Sequence, residues 1–435
     1  MSATMLGVLG IFFFLFLLMT GMPVSFSMFA TGIIGIAMMR DLSSAFLMTI
    51  DSITATFSSF VLTVAPMFIL MGILAGHTGI GEKLVHSANA FLGHWRGGLA
   101  SGVQVVAALF GAICGSMPAN IATVGSIAYP VMKKLGYSDR LSTGAICAGA
   151  ALAALIPPSL TFIIYATATQ LSVGKLFASG ITTGILLLII YIITIQVWCK
   201  VNPSLAPKIP ALPWKDRIRT LKGSGIIEIA VVFGISMGGL FGGLFTPTES
   251  GAVGVFGVML VTLISRRLTF RIMLDALRDT IRLSCFIYFL IAGASIYSKF
   301  FTFSQIPAAL GNLLSGSGLS AFAIMALITL TYWVLGCVID DQALVLLSIP
   351  VFYPIVTSLG FDGIWFGAYT VVIVGVGGLT PPAALLTYVM HRVAKEQVPL
   401  SEIFIGVAPF MVSGFLMLFI LILFPQIVLF IPNMM

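Results

Sequence analysis

Ile156-Pro157-Pro158-Ser159 and its echo Thr380-Pro381-Pro382-Ala383 decide how this chain folds. Each lies inside a long apolar run. A Pro-Pro pair removes two backbone donors and pushes the residue before it out of the α region, so a helix reaching either point stops and restarts. Two helix ends are then left within the run. If the run crosses a membrane, lipid cannot satisfy the freed N–H and C=O groups, and the interruption survives only where protein, water or a ligand covers it. Both stretches are therefore expected to be ion or substrate sites.

The composition places these breaks in a membrane. Hydrophobic residues make up 59% of the 435 and charged residues 8%, with a mean hydropathy of +1.14. This is the profile of a polytopic membrane protein. The net charge of +7 reflects basic residues in short cytoplasmic loops, and nucleic acid is not an expected partner. Cys114, Cys147, Cys199, Cys285 and Cys337 are scattered, without a CxxC, and read as small apolar packers. The four histidines show no metal spacing, so no transition metal is expected. A Walker A pattern is absent, which excludes an ATP-driven pump within this chain. No set of paired catalytic groups stands out, so an enzyme is not expected.

Working outward from the breaks, Met5 to Met39 holds two helices punctuated at Gly21-Met22-Pro23. The first of these reads as a retained span, for it lacks the basic flank and cleavage site of a signal peptide. A polar interval, an apolar run from Phe60 to Ala75, and an amphipathic basic segment from Gly81 to Arg96 suited to the interface follow. Residues 97–133 read as a hairpin with its tip at Cys114 to Asn120, residues 141–171 as the broken helix, and Leu176 to Cys199 as a further span. A polar linker at 200–224 divides the chain.

Beyond the linker the same order returns 224 residues later. Pro23 maps on Pro247, Tyr129-Pro130 on Tyr353-Pro354, and Pro157-Pro158 on Pro381-Pro382. With 20 prolines in the chain, chance aligns roughly half a proline pair at a given offset, so the match argues for two repeats, 1–199 and 225–435. The second contains a hairpin at 318–358 and a broken helix at 361–395. The expected fold is an all-α polytopic membrane protein of two inverted-topology repeats, each with about five spanning helices plus a re-entrant hairpin and a Pro-Pro-broken helix. Loop charges carry the inversion. Residues 42–58 hold no Lys or Arg, whereas 266–282 hold Arg266, Arg267, Arg271, Arg278 and Arg282. A cytoplasmic linker puts all basic side chains inside except Arg40, Lys175 and Lys299, with both termini periplasmic.

Hairpin and broken helix should meet near the bilayer midplane, where helix N-termini suit an anion and unwound carbonyls suit a cation. Sodium needs oxygen ligands, which backbone can supply where side chains are small. The expected residues are Gly111, Cys114, Gly115, Ser116, Ala153, Ile156 and Pro157 in one half, and Gly336, Gly377, Thr380 and Ala383 in the other. The same glycines serve equally well as close helix contacts. Ser116, Asn120, Ser159, Asp340 and Asp341 are the candidates for substrate contact. The two aspartates, set in an apolar stretch, either line water, coordinate a cation, or cap the helix that follows. Pro247 marks a kink, with Glu249 buried beside it as a cap. Trp95, Trp198, Trp214 and Trp365 fall near span ends, as an interfacial belt does, and the arginine-rich run to Arg282 reads as an anchor on anionic lipid.

These motifs resemble the large membrane subunit of tripartite ATP-independent periplasmic (TRAP) transporters. The residues that carry the resemblance are Gly242-Gly243-Leu244-Phe245-Thr246-Pro247-Thr248-Glu249-Ser250-Gly251, Cys114-Gly115-Ser116-Met117-Pro118-Ala119-Asn120, Leu155-Ile156-Pro157-Pro158-Ser159 and Gly377-Gly378-Leu379-Thr380-Pro381-Pro382. The resemblance covers nearly the whole chain. It implies an importer of organic acids, typically a dicarboxylate or sialic acid, driven by about two sodium ions, with an elevator-like transport domain in the bacterial inner membrane. It further implies a small four-helix membrane subunit as a separate chain and a periplasmic solute-binding protein. Cys114 and Met117 stand where relatives often carry serine, which leaves backbone oxygens to hold an ion there. A stand-alone divalent-anion/sodium symporter is the alternative, distinguished by whether transport survives without the binding protein.

Overall fold

The computed structural model describes residues 2–77, 79–208, 213–221, 225–316, 318–382 and 384–435. Every regular element among them is helical. In order these are α1 (Ala3–Met19), α2 (Val24–Met39), α3 (Leu42–Phe57), α4 (Val64–His77), α5 (Ile80–Leu92), α6 (Gly98–Cys114), α7 (Met117–Asn120), α8 (Ser126–Lys134), α9 (Asp139–Leu155), α10 (Leu160–Thr169) and α11 (Val173–Val201). Then come α12 (Trp214–Leu221), α13 (Ile226–Phe241), α14 (Pro247–Ile264), α15 (Phe270–Ser304), α16 (Ile306–Gly316), α17 (Ala321–Gly336), α18 (Asp341–Ser358), α19 (Gly363–Leu379), α20 (Leu385–Val393), α21 (Leu400–Leu423) and α22 (Gln426–Leu429). By length and composition five helices can cross a membrane, seven if each sharply bent pair is one span, and six more are shorter apolar helices. The chain is a multi-pass membrane protein.

Local chemistry sets the boundaries. Ser138, Ser159, Ser172, Thr269, Ser320 and Asp362 each accept a first-turn backbone N–H and so start α9, α10, α11, α15, α17 and α19. Both diproline points interrupt helix: α9 stops before Ile156-Pro157-Pro158, and α19 stops before Thr380-Pro381-Pro382. Both Pro-Pro bonds are cis. The axis of α10 departs from that of α9 by 42°.

Three expectations are corrected. The polar interval at 42–58 is the helix α3, bent by 52° from the helix that follows; its Thr49 and Thr56 hydroxyls donate to Ala45 O and Ser52 O, so these two are satisfied within the helix. Glu249 is exposed, not buried, and Pro247 starts a helix instead of kinking one. Thr246 and Glu249 form a reciprocal capping box with Pro247 at the first helical position, and the chain turns just before them with Gly243 at φ +71°. Trp365 belongs to the core, fully buried with its indole N–H donating to Leu421 O at 2.9 Å.

Packing follows the order of elements. α2 lies along α15 as α14 lies along α4, and α6 packs on α9 as α17 packs on α19. Contacts to α21 fix directions. Arg140 at the start of α9 pairs with Glu402 at the start of α21, and Gly144 abuts Gly406, so α9 and α21 run parallel. Trp365 at the start of α19 reaches Leu421 near the end of α21, so those two run antiparallel. Helices α9 and α19, whose bounds differ by 224 at both ends, therefore point in opposite directions.

Candidate functional site

The first broken helix and the first hairpin approach to backbone contact. A Cβ built on Gly111 would lie 2.5 Å from the Cα of Ala153, one turn before the break. At the tip Gly115 adopts φ +58°, its Cα faces the Pro158 carbonyl, and its own carbonyl accepts Leu160 N–H at 3.4 Å. Small residues are required because a larger side chain would separate α6 from α9 at Gly111 and the hairpin tip from the break at Gly115. Sequence-predicted Gly111, Gly115, Ala153, Pro157 and Pro158 are thereby gathered in one place. Ile156 is extended, at φ −73° and ψ 122°, and half-buried.

The second half repeats the arrangement. A Cβ on Gly336 would lie 3.0 Å from the Cα of Gly377. Thr380 at the break donates its hydroxyl to Val376 O at 2.9 Å and accepts the Trp333 indole N–H at 3.0 Å. The equivalent positions in the first half are Ile156 and Leu109, so only the second break carries a side-chain oxygen held by an indole. Ala383 lies outside the described residues.

The remaining predicted residues have partners of their own. The Cys114 thiol points at Ser116 O, 3.7 Å away. Asn120 is fully buried between the hairpin arms, donating to Ala107 O at 2.9 Å. Ser159 is fully buried and caps α10 through Phe162 N–H. Asp340 is the N-cap of α18, accepting Gln342 N–H at 3.1 Å, and Asp341 is the first residue of that helix; both are half-buried.

Two cavities border these elements. One, of about 310 Å³, has Gly72, His77, Cys114, Ser116 and Leu160 in its wall, so the first tip opens toward α4. The other, of about 500 Å³, lies between α3 and α15 on one side and α10 and α18 on the other. Its polar lining comes from Thr56, Ser59, Thr167, Gln170, Ser295, Ser298, Lys299 and Tyr353. Sequence reasoning missed this set, since hydroxyls spread over four elements have no spacing to betray them. The one usable signal was Lys299, a basic residue isolated in an apolar run. Trp333 was missed for the same reason, because its partner is 47 residues away.

Residues 11–427 match the sequence model of the tripartite ATP-independent periplasmic transporter, DctM component. The chain is similar to the C4-dicarboxylate TRAP transporter large permease protein DctM of Pseudomonas aeruginosa, at 31% identity over 87% of each chain. It is also similar to the ectoine TRAP transporter large permease protein TeaC of Halomonas elongata, at 30% identity over 100% of this chain and 98% of that one. The sialic acid TRAP transporter large permease protein SiaM of Vibrio cholerae is 28% identical over 98% of both. Among solved structures, the YdaH transporter of Alcanivorax borkumensis superposes with a TM-score of 0.61 at 14% identity, covering 90% of this chain and 88% of that one, a likeness of fold.

Proposed function

The chain belongs to the DctM-component family, the large permease subunits of tripartite ATP-independent periplasmic transporters and not enzymes, and from that premise we propose that it is the translocating subunit of a sodium-coupled importer of organic acids. The observation that carries this reading is the pair of backbone contacts, Gly111 on Ala153 and Gly336 on Gly377, each beside a helix broken by two prolines. Carbonyls released by such breaks are neutral oxygen ligands of the kind a sodium ion takes, and restarted helix ends favour a carboxylate. Two such places match about two sodium ions. One elementary charge crossing 100 mV is worth about 2.3 kcal/mol, so two sodium ions carrying one monovalent anion gain about that much from the potential alone.

The repeats are read here as inverted. Supporting this are the opposed directions of α9 and α19 and the coincidence of α7–α8 (Met117 to Lys134) with α18 (Asp341 to Ser358) at the same offset of 224. An inverted pair gives two related conformations of one fold, which is what alternating access by an elevator movement needs. The hairpins and broken helices form the moving body, and α2, α3, α4, α13, α14 and α15 the scaffold. The subunit sits in the bacterial cytoplasmic membrane with both termini periplasmic. The carboxylate is delivered by a periplasmic solute-binding protein, and a small membrane subunit completes the assembly. The similar permeases are named for C4-dicarboxylate, sialic acid and ectoine, all of which bear a carboxylate. The 500 Å³ cavity, with one cation among hydroxyls, is chemically suited to such an anion.

The test is uptake into liposomes holding both membrane subunits, with the binding protein outside. Radiolabelled carboxylate should accumulate only with an inward sodium gradient and only with the binding protein present. Accumulation indifferent to sodium would end the coupling claim.

A further inference from the structure

Lys299 is the one charged side chain in the wall of the 500 Å³ cavity among the described residues. It does not stand free. Its Nζ lies 2.9 Å from Oδ2 of Asp51 and 3.5 Å from Met48 O, so α3 reaches across to hold it. The two partners differ in freedom: the Lys299 side chain is 33% exposed, whereas that of Asp51 is 74% exposed. A neighbouring polar link, Ser295 to Ser52 at 3.3 Å, joins the same two helices one turn earlier on α15. Asp51 itself does not line the cavity.

We propose that Asp51 is a resident carboxylate that occupies Lys299 until the substrate's carboxylate replaces it, so that the pair acts as an anion-exchangeable latch at the cavity. The inference rests on the importer reading above and adds to it a specific acceptor and a competitor built into the chain. Geometry favours exchange over a structural strut. An ion pair with one partner largely exposed contributes little to holding a fold, and an aspartate on an exposed helix face is free to swing off. A substrate carboxylate inside the cavity meets Lys299 with Ser295, Ser298 and Thr56 hydroxyls beside it, so the lysine exchanges one oxyanion for another and is never left bare. Displacing Asp51 also removes one polar link between α3 and α15 and leaves the Ser295–Ser52 link in place, so the wall stays joined while the lysine changes partner. Neutral and cationic solutes cannot perform the exchange, so the latch selects for charge.

The test uses the full chain in liposomes with its small membrane subunit, the exposed Cys285 replaced by serine, and Ser298→Cys as reporter. A sulfonate-bearing and a trimethylammonium-bearing methanethiosulfonate are compared at low salt. Asp51→Asn should raise the anion-to-cation labelling ratio roughly three- to ten-fold, and Lys299→Gln should lower it by a similar factor. In uptake assays with an inward sodium gradient and the binding protein outside, a C4-dicarboxylate and a sialic acid being offered separately, Asp51→Asn should lower KM several-fold for the transported one, and Lys299→Gln should raise it at least ten-fold. A ratio within two-fold of the parent in Asp51→Asn, or loss of uptake in Asp51→Asn equal to that in Lys299→Gln, overturns the latch. If labelling follows the charges while neither carboxylate is taken up, the importer reading falls and the latch stands.

Discussion

Ala151 and Gly375, 224 positions apart in the chain, meet in the core: a Cβ on Gly375 would sit 3.1 Å from that of Ala151. On the proposed inverted-repeat reading, residues at equivalent places touch each other only beside the axis relating the halves, and that reading predicts an axis here, between α9 and α19. A disulfide needs Cβ atoms about 3.5–4.5 Å apart, within reach of a small relaxation. The double variant Ala151→Cys/Gly375→Cys, made without the native cysteines, is expected to cross-link under mild oxidant. After proteolytic cleavage in the 200–224 linker, the halves should stay together on a non-reducing gel. Halves that separate would remove the axis from this place.

The two hairpin contacts differ in tightness, and the difference predicts an order. An added methyl meets the Ala153 Cα at 2.5 Å from Gly111 but the Gly377 Cα at 3.0 Å from Gly336. Overpacking against backbone costs about 1–3 kcal/mol. Expressed in the sodium-bound state, that range raises the half-saturating sodium concentration roughly 5- to 150-fold. Gly111→Ala should lie toward the upper end and Gly336→Ala toward the lower, with folding yield by size-exclusion chromatography little changed for Gly336→Ala. The reverse order would place the ion elsewhere.

Much of this was legible in the sequence because prolines, glycines and charges act locally. Pro157-Pro158 and Pro381-Pro382 stop helices wherever they stand, so both breaks were placed to the residue, and the broken helices expected at 141–171 and 361–395 run from Asp139 to Thr169 and from Gly363 to Val393. What failed depended on partners distant in the chain. Trp365 stands near a span end, as an interfacial residue does, but its indole N–H donates to Leu421 O, 56 residues away, in the core. Asp51 and Lys299 are 248 residues apart and carry no shared pattern. Glu249 was placed inside by its apolar neighbours, yet capping Thr246 requires it to turn back toward the helix start, where it is exposed.

Thr380 gives a test of the second break alone. Its hydroxyl donates to Val376 O and accepts from Trp333. Thr380→Val keeps the shape but strands a half-buried indole N–H, at a cost of about 1–3 kcal/mol. Thr380→Ser keeps the oxygen. Sodium activation of uptake should weaken at least ten-fold in Thr380→Val and no more than a few-fold in Thr380→Ser. Trp333→Phe should fall between them, because it frees the hydroxyl without removing it. Equal activation curves for the valine and serine variants would take the hydroxyl out of the ion site.

The aspartates at the second tip separate by role. Asp340 accepts Gln342 N–H as the N-cap of α18, a position where asparagine serves about as well as aspartate and alanine costs ~1 kcal/mol. Asp340→Asn should therefore melt with the parent, and Asp340→Ala should melt about 1–2 °C lower in a chain of this size. Asp341 is not the N-cap; it stands in the first turn, beside the helix dipole, with its carboxyl hydrogen-bonded to that of Asp340 and to the Gln342 N–H. A carboxyl that does not cap the helix is available to a cation or a water path at this tip, so Asp341→Asn should cut the rate of uptake at least ten-fold while leaving the melting temperature within 1–2 °C of the parent. Thermal unfolding in detergent and initial uptake rates, measured on the same preparations, separate the cap from the charge. A reversal, with Asp340→Asn abolishing uptake and Asp341→Asn silent, would move the functional carboxylate one residue back.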